Sequence, residues 1–176
     1  MKNKKTMAIV QTAIIAAMYA ALTYMQNFLL PGTTSAAVQF RVSEALNVLA
    51  LFTPVAIPGL TLGCVLSNLY NIGSGLPLDM IFGSFATLGC SICMYYLRNL
   101  KIKNYPALAM LMPAIWNGVI VGWEIEHFFV EGDFIFWDFL FQGGCVALGE
   151  LGVMLILGTA LYFTIVKRKL DKKIFA

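Results

Sequence analysis

Six long apolar stretches dominate this sequence and leave few folds open to it. A helix that crosses a bilayer needs about 20 mostly apolar residues, and breaker pairs such as Pro31-Gly32 and Thr53-Pro54 end the stretches. We predict helices over approximately residues 7–30, 38–53, 56–72, 78–97, 106–125 and 141–166. The whole chain, residues 1–176, is therefore expected to be a single domain, an all-α bundle of six transmembrane helices.

The composition argues against a soluble protein. Hydrophobic residues make up 60% of the chain and charged residues 12%, whereas soluble domains average roughly 45–50% and about 25%. So little charge cannot cover a globular surface in water, and disorder requires the opposite composition. Neither glycine-rich phosphate loop, G-x-x-x-x-G-K-[ST] or G-x-G-x-x-G, occurs in the sequence. We therefore expect no nucleotide-hydrolysing activity in this chain.

Apart from Arg41, the basic residues lie in three clusters, at residues 2–5, 98–103 and 167–173. Six crossings put these clusters and both termini on one side, which the positive-inside rule makes the cytoplasmic side of the cell membrane. The acidic segment 124–138 then lies outside. A cleaved signal peptide is the competing interpretation of the first stretch, but the apolar run is too long for a signal core. Because no basic stripe follows one folded face, nucleic acid is not an expected partner.

Charged and amide side chains inside the apolar stretches point to a binding site. At about 1.5 Å per helical residue, Glu150 lies roughly 13 Å, Asn117 roughly 11 Å and Glu44 roughly 9 Å below the outer ends of their helices. Asn68 lies at roughly 6 Å, and Asp79 begins the fourth helix. A charge in hydrocarbon is costly and therefore faces the bundle interior. All these groups fall in the outer half of the membrane, so we interpret them as the lining of an outward-opening solute pocket.

The polar positions also fall on coherent helix faces, since Arg41 and Glu44 share one side of the second helix with Asn47. Trp116, Trp123 and Tyr70 offer flat surfaces for an aromatic or heterocyclic ring. The competing interpretation is structural, with an internal Arg41–Glu44 ion pair, amide hydrogen bonds that join helices, and Asp79 as a simple helix cap. The predicted substrate-binding set comprises Arg41, Glu44, Asn68, Asp79, Trp116, Asn117, Glu124 and Glu150.

Two further patterns have ordinary interpretations. Cys90-Ser91-Ile92-Cys93 matches C-x-x-C, but it has no second pair and no thioredoxin context. The cysteines are therefore expected to be small buried side chains. His127 lies among acidic residues of the outer loop, but the usual two or three His or Cys ligands of a metal site are missing. We expect no metal and no other cofactor in the chain.

Small residues recur at helical spacing in three places, and such faces let membrane helices approach closely. Two of them, Gly59-x-x-x-Gly63 and Gly118-x-x-x-Gly122, use glycine. Any two of the three faces can simply pack the bundle. The alanine face, toward the cytoplasmic end of the least polar helix, is the best candidate for docking a partner protein. It consists of Ala13, Ala16, Ala17, Ala20 and Ala21.

Six segments, spread over about residues 40–152, carry a resemblance to a known family. They are Arg41-Val42-Ser43-Glu44-Ala45-Leu46, Phe52-Thr53-Pro54-Val55-Ala56-Ile57-Pro58-Gly59-Leu60, Gly63-Cys64-Val65-Leu66-Ser67-Asn68, Asp79-Met80-Ile81-Phe82-Gly83-Ser84-Phe85-Ala86-Thr87-Leu88, Asn117-Gly118-Val119-Ile120-Val121-Gly122-Trp123-Glu124 and Gly149-Glu150-Leu151. The general arrangement resembles the substrate-binding S component of an energy-coupling-factor (ECF) vitamin transporter. The segments themselves resemble the queuosine-precursor transporter family, QueT.

The resemblance implies uptake of a queuosine precursor, a 7-deazaguanine base, together with an ECF transmembrane coupling subunit and two cytoplasmic ATPases. A deazapurine has two flat faces for Trp116 or Trp123, and an N–H-rich edge that can donate two hydrogen bonds to a carboxylate. A cationic aminomethyl substituent suits Glu44, Glu124 and Glu150 beside a lone Arg41. Which carboxylate meets which edge stays open, and so does the identity of the deazapurine.

Two other classes of function remain as alternatives. A stand-alone channel or secondary carrier is disfavoured because the sequence shows no inverted repeat and no paired broken helices in matching halves. An intramembrane enzyme needs a nucleophile–base or metal pair, and only His127, outside the membrane, is the usual base. We therefore expect a transport subunit rather than an enzyme.

Overall fold

The computed structural model describes residues 3–33, 39–72 and 77–174, and these are almost entirely helical, with one isolated β-bridge between Ile102 and Tyr105. Four helical segments are long and apolar enough to cross a membrane, so the chain is a multi-pass membrane protein. In chain order the elements are α1 Lys4–Leu29, a 3₁₀ helix Val42–Leu51, α2 Ala56–Ile72, α3 Pro77–Leu97, α4 Ala107–Met110, α5 Met112–Phe128, α6 Phe136–Val153, a π-helical turn Met154–Gly158, α7 Thr159–Arg168 and α8 Leu170–Ile174.

The predicted helix ranges match most of these elements, and the prediction of an all-α membrane protein is confirmed for the described residues. The ranges 56–72 and 78–97 coincide with α2 and α3 almost to the residue. The last helix begins at Phe136 rather than near residue 141 and continues through the π-helical turn to Arg168. Proline and glycine gave good predictions of where α2 and α3 begin and end. The start of the last helix was placed too late, because residues 136–140 were assigned to the preceding loop.

The second helix differs from the prediction, because the range 38–53 contains a ten-residue 3₁₀ helix, Val42–Leu51. At about 2.0 Å per residue it is roughly 20 Å long, shorter than the roughly 30 Å hydrocarbon core of a bilayer. Eight of its ten residues are buried, and it packs against α1, α2, α3, α6 and α7. The prediction missed the 3₁₀ geometry because apolar content does not distinguish it from an α-helix.

Glycines allow α1 and α2 to pack closely side by side. A Cβ atom on Gly59 would lie 2.9 Å from the Cβ of Ile15, and one on Gly63 would lie 2.6 Å from the Cβ of Tyr19. Each contact moves four residues toward the C-terminus on both helices, from Ile15 and Gly59 to Tyr19 and Gly63, so α1 and α2 run parallel. The 3₁₀ helix lies between them in sequence and runs in the opposite direction. The Gly59-x-x-x-Gly63 face therefore packs the bundle.

The α5–α6 contact depends on Gly122 and gives a first prediction. A Cβ atom on Gly122 would lie 2.5 Å from the Cα of Gly143, so Gly122→Ala must push the two helix backbones apart. We expect it to lower the free energy of unfolding by about 1–3 kcal/mol, the usual cost of overpacking. Gly144→Ala on α6 is the matched control, because a Cβ there meets nothing within 4 Å. Unfolding titrations in detergent that show equal effects of the two changes would contradict this packing.

The basic residues of two predicted clusters meet at one end of the bundle. Arg98 and Lys101 line the same cavity as Lys169 and Lys172, together with Leu51 from the end of the 3₁₀ helix. The first half of α1 lies close to this end, because the Thr12 hydroxyl donates to the Val55 carbonyl at 3.5 Å. Val55 follows shortly after Leu51 and Phe52, which line the cavity. The described N- and C-terminal regions therefore lie at the same end, which we call the basic end.

All four cysteines are free thiols. Cys64 and Cys90 are buried between helices, whereas Cys93 and Cys145 are partly exposed. The prediction that the cysteines are small buried side chains is therefore confirmed for Cys64 and Cys90 only.

Candidate functional site

The centre of the candidate site is a buried ion pair between the start of the 3₁₀ helix and the start of α3. Arg41 Nη2 lies 3.0 Å from Asp79 Oδ2 and 3.2 Å from Oδ1. Asn68 Nδ2 donates to the Asp79 carbonyl oxygen at 3.1 Å. A first-turn carboxylate also interacts favourably with the helix dipole. The partner of Arg41 is thus Asp79 rather than Glu44, the partner expected in the structural interpretation.

The carboxylate of Glu44 is held by donors on both oxygens. The Tyr19 hydroxyl donates to Oε1, and the Asn47 amide donates to Oε2. Residues three apart eclipse in a 3₁₀ helix, and this places Asn47 directly beside Glu44. The 3₁₀ geometry therefore places a hydrogen-bond donor for the Glu44 carboxylate within the same helix.

A polar stripe on α1 that the sequence analysis missed anchors the 3₁₀ helix. The Thr23 hydroxyl donates to Ser43 Oγ at 2.8 Å, and Gln26 Oε1 accepts from the Val42 backbone N–H at 2.8 Å. Tyr19, Thr23 and Gln26 are spaced i, i+4, i+7, which is the signal of one helix face. The signal was present in the sequence but was hidden because α1 is the least polar helix overall.

Three further predicted residues are buried and carry atoms without hydrogen-bond partners. Glu124 and Glu150 are each 1% exposed and Asn117 is 4% exposed. Among the described residues, both carboxylate oxygens of Glu124, Glu150 Oε2 and Asn117 Nδ2 have no hydrogen-bond partner; Asn117 nonetheless faces the Glu44 carboxylate. A buried polar atom left unpaired costs about 1–3 kcal/mol. The unpartnered carboxyl oxygens of Glu124 and Glu150 are thus able to form hydrogen bonds with a solute.

The acidic groups surround a single cation. Glu150 interacts electrostatically with Glu44 and Arg41, and Glu124 interacts with Asp79 and Arg41. We call these five residues the acidic cluster. It places four carboxyl groups around one guanidinium in a setting of low dielectric, where unbalanced charge is expensive. The cluster is therefore suited to a ligand that brings N–H donors or positive charge.

Two glycines make room for this arrangement. A Cβ atom on Gly83 would lie 3.3 Å from Asn68 Nδ2 and 3.6 Å from Arg41 Nη1. A Cβ atom on Gly149 would collide with the backbone carbonyl of Gln39. The missing side chains let the segment before Arg41 lie directly against α6, next to Glu150.

The tryptophans lie in apolar surroundings. Trp116 packs over Gly89, where a Cβ atom would lie 2.5 Å from the ring. Trp123 lines an apolar groove with Phe82 and neighbouring side chains and stacks on His127 with ring centroids 4.9 Å apart. Seven of the eight predicted binding residues therefore lie in the acidic cluster or next to it. The eighth, Trp116, packs among apolar side chains. The side chain of Tyr70 lies outside the described residues.

The five alanines of α1 divide between two faces. Ala16 and Ala20 are buried, at 5% and 7% exposure, and pack toward the bundle. Ala13, Ala17 and Ala21 are exposed. Of the five residues of the alanine face, only these three are available to a partner in the described structure.

Comparisons with known proteins agree with the resemblance seen in the sequence. The QueT transporter family matches residues 9–167. A curated relative, the queuosine precursor transporter QueT of Lactococcus lactis subsp. cremoris (strain MG1363), is 31% identical over 167 residues, which cover 89% of this chain and 90% of the relative. No solved structure matches the chain.

Proposed function

Because the chain belongs to the QueT transporter family, we propose that it is the substrate-binding subunit of an ECF-type importer that takes up a queuosine precursor across the cell membrane. The unpartnered oxygens of buried Glu124 and Glu150 carry this proposal. A 7-deazaguanine base presents N–H donors along one edge, and carboxylates accept such donors in bidentate fashion. A cationic aminomethyl substituent would also offset the excess of carboxylates over Arg41.

In this proposal the chain makes six traverses with both termini in the cytoplasm. Neighbouring elements alternate in direction, and the 3₁₀ helix with its flanking residues provides the short second traverse. It runs from Arg41 in the acidic cluster to Leu51 in the basic end, so the two lie at opposite ends of this helix. The positive-inside rule places the basic end in the cytoplasm, and the acidic cluster then faces outward.

The energy source in this proposal is a separate complex. The sequence contains neither of the two glycine-rich phosphate loops, so ATP hydrolysis falls to two cytoplasmic ATPases joined through a transmembrane coupling subunit. The alanine face supports this assignment, because exposed small residues on a membrane helix permit close backbone contact with another helix.

A conservative change in the acidic cluster tests ligand binding. We expect Glu150→Gln to weaken binding of 7-aminomethyl-7-deazaguanine by roughly 1.5–3 kcal/mol, the scale of a hydrogen bond to a charged group. The amide keeps the shape of the side chain, so the protein should still fold. Titration calorimetry of the purified chain in neutral detergent measures the affinity.

The matched control is Glu131→Gln, the same substitution at an exposed position of the loop between α5 and α6. It should leave the affinity unchanged. Unchanged affinity in Glu150→Gln as well would remove Glu150 from the binding site.

A further inference from the structure

A cavity lies at the basic end, remote from the acidic cluster. Its volume is about 630 Å³, within the roughly 300–1,000 Å³ range of small-molecule sites. The 3₁₀ helix separates the two sites, since Leu51 lies in the cavity wall and Arg41 lies in the acidic cluster. The roughly 20 Å length of that helix makes this a distinct site.

The cavity is strongly cationic. Arg98, Lys101, Lys169 and Lys172 line it, against a single carboxylate from Asp171. In the described part of the chain, none of the four cations forms an ion pair. Four cations gathered from two distant segments, without acidic partners, favour an anionic ligand.

Apolar side chains form part of the cavity lining, and we call this part the apolar floor. Leu51, Phe52 and Tyr162 contribute to it, and the rings of Phe52 and Tyr162 stack with centroids 5.8 Å apart. Beside the rim, Leu100 and Ile102 are 57% and 67% exposed and flank Lys101 in sequence. Exposed apolar side chains alternating with lysine suit the boundary between headgroups and acyl chains. The ligand that fits this wall is both anionic and amphiphilic.

The walls of the cavity are held in place by specific contacts. The Tyr162 hydroxyl donates to the Asn104 carbonyl at 3.2 Å, and the Arg98 guanidinium lies 3.8 Å from the centroid of the Tyr95 ring. Lys169 ends α7 in a left-handed conformation, with φ of 53°. Such a backbone is unfavourable for a residue other than glycine, and strain of this kind concentrates at functional sites. Lys169 itself and Lys172, three residues later, both line the cavity.

We propose that this cavity binds the phosphate group of an anionic phospholipid, with the lipid's glycerol and upper acyl carbons on the apolar floor. Basic pockets between membrane helices on the cytoplasmic side are known to hold lipid headgroups. The binding anchors the basic end to the inner leaflet and does not depend on the transported solute.

Native mass spectrometry of the full chain in neutral detergent tests the proposal, with dioleoyl-phosphatidylglycerol as the probe. We expect Lys101→Gln combined with Lys172→Gln to weaken binding of the first lipid at least tenfold. The matched control combines Lys103→Gln with Lys173→Gln, which removes the same charge from the same two segments outside the lining. It should change binding less than twofold.

Three results would overturn the proposal. Equal losses in the two double variants would show general attraction to basic residues rather than a site. Equal binding of dioleoyl-phosphatidylcholine would remove the requirement for a net anion. Complete competition by glycerol 3-phosphate at equal concentration would assign the cavity to a soluble phosphate ester. None of these results bears on the acidic cluster, which the variants do not touch.

Discussion

Arg41→Gln is expected to lower the free energy of unfolding by about 3–5 kcal/mol, the cost of removing one partner from a buried ion pair. The change removes the guanidinium nitrogen that lies 3.0 Å from Asp79 Oδ2 in the native protein. It also removes the positive charge that Glu44, Glu124 and Glu150 share. Unfolding of the purified chain in mixed detergent micelles measures the loss.

A double variant serves as the control for this prediction. Arg41→Gln with Asp79→Asn should recover part of the lost stability, because removing both partners leaves fewer uncompensated charges than removing one. A loss below about 1 kcal/mol for Arg41→Gln, the value typical of exposed pairs, would show that the ion pair is not buried as the structure has it.

Ala17→Leu is expected to abolish ATP-dependent uptake by the reconstituted complex. Ala17 lies on the exposed alanine face of α1, and a larger side chain there blocks close helix approach, on which association in membranes depends. Ligand affinity of the isolated chain should stay within about twofold, since surface changes away from buried features have small effects. Uptake of labelled precursor into proteoliposomes and calorimetry of the isolated chain give the two values.

Ala160→Leu is the matched control, because Ala160 is an exposed alanine on α7 and the added volume is identical. It should leave uptake intact. Loss of ligand binding in Ala17→Leu would instead place Ala17 in the structural core of the binding site. Uptake without any ATPase would favour a stand-alone carrier or channel.

The helix ranges were predictable because their ends depend on local chemistry. Thr53-Pro54 precedes α2 and Pro77 begins α3, so turn-forming residues at these points gave the ends of both helices. The 3₁₀ helix was not predictable in the same way. The spacing of Arg41, Glu44 and Asn47 by three residues suits one face of either helix type, so it does not distinguish a 3₁₀ helix from an α-helix.

The residues of the candidate site could be predicted from a general rule, but the ion pairs and hydrogen bonds between them could not. Charged residues in apolar helices must face the interior, so the gathering of Glu44, Glu124 and Glu150 was predictable without coordinates. The pairing of Arg41 with Asp79 joins residues 38 positions apart, and no local pattern specifies it. Trp116 stays a prediction: its ring packs over Gly89 among apolar side chains, a position that the sequence did not specify.

Whether this protein binds a queuosine precursor is decided by identifying the solute that it carries. Native mass spectrometry of the full chain, purified from cells supplied with the precursor, should show a bound small molecule that fragments as a 7-deazaguanine. The same preparation of Glu150→Gln should lose most of it. A wild-type protein that carries no such molecule, or one that carries a compound without an N–H-rich edge, would contradict the account.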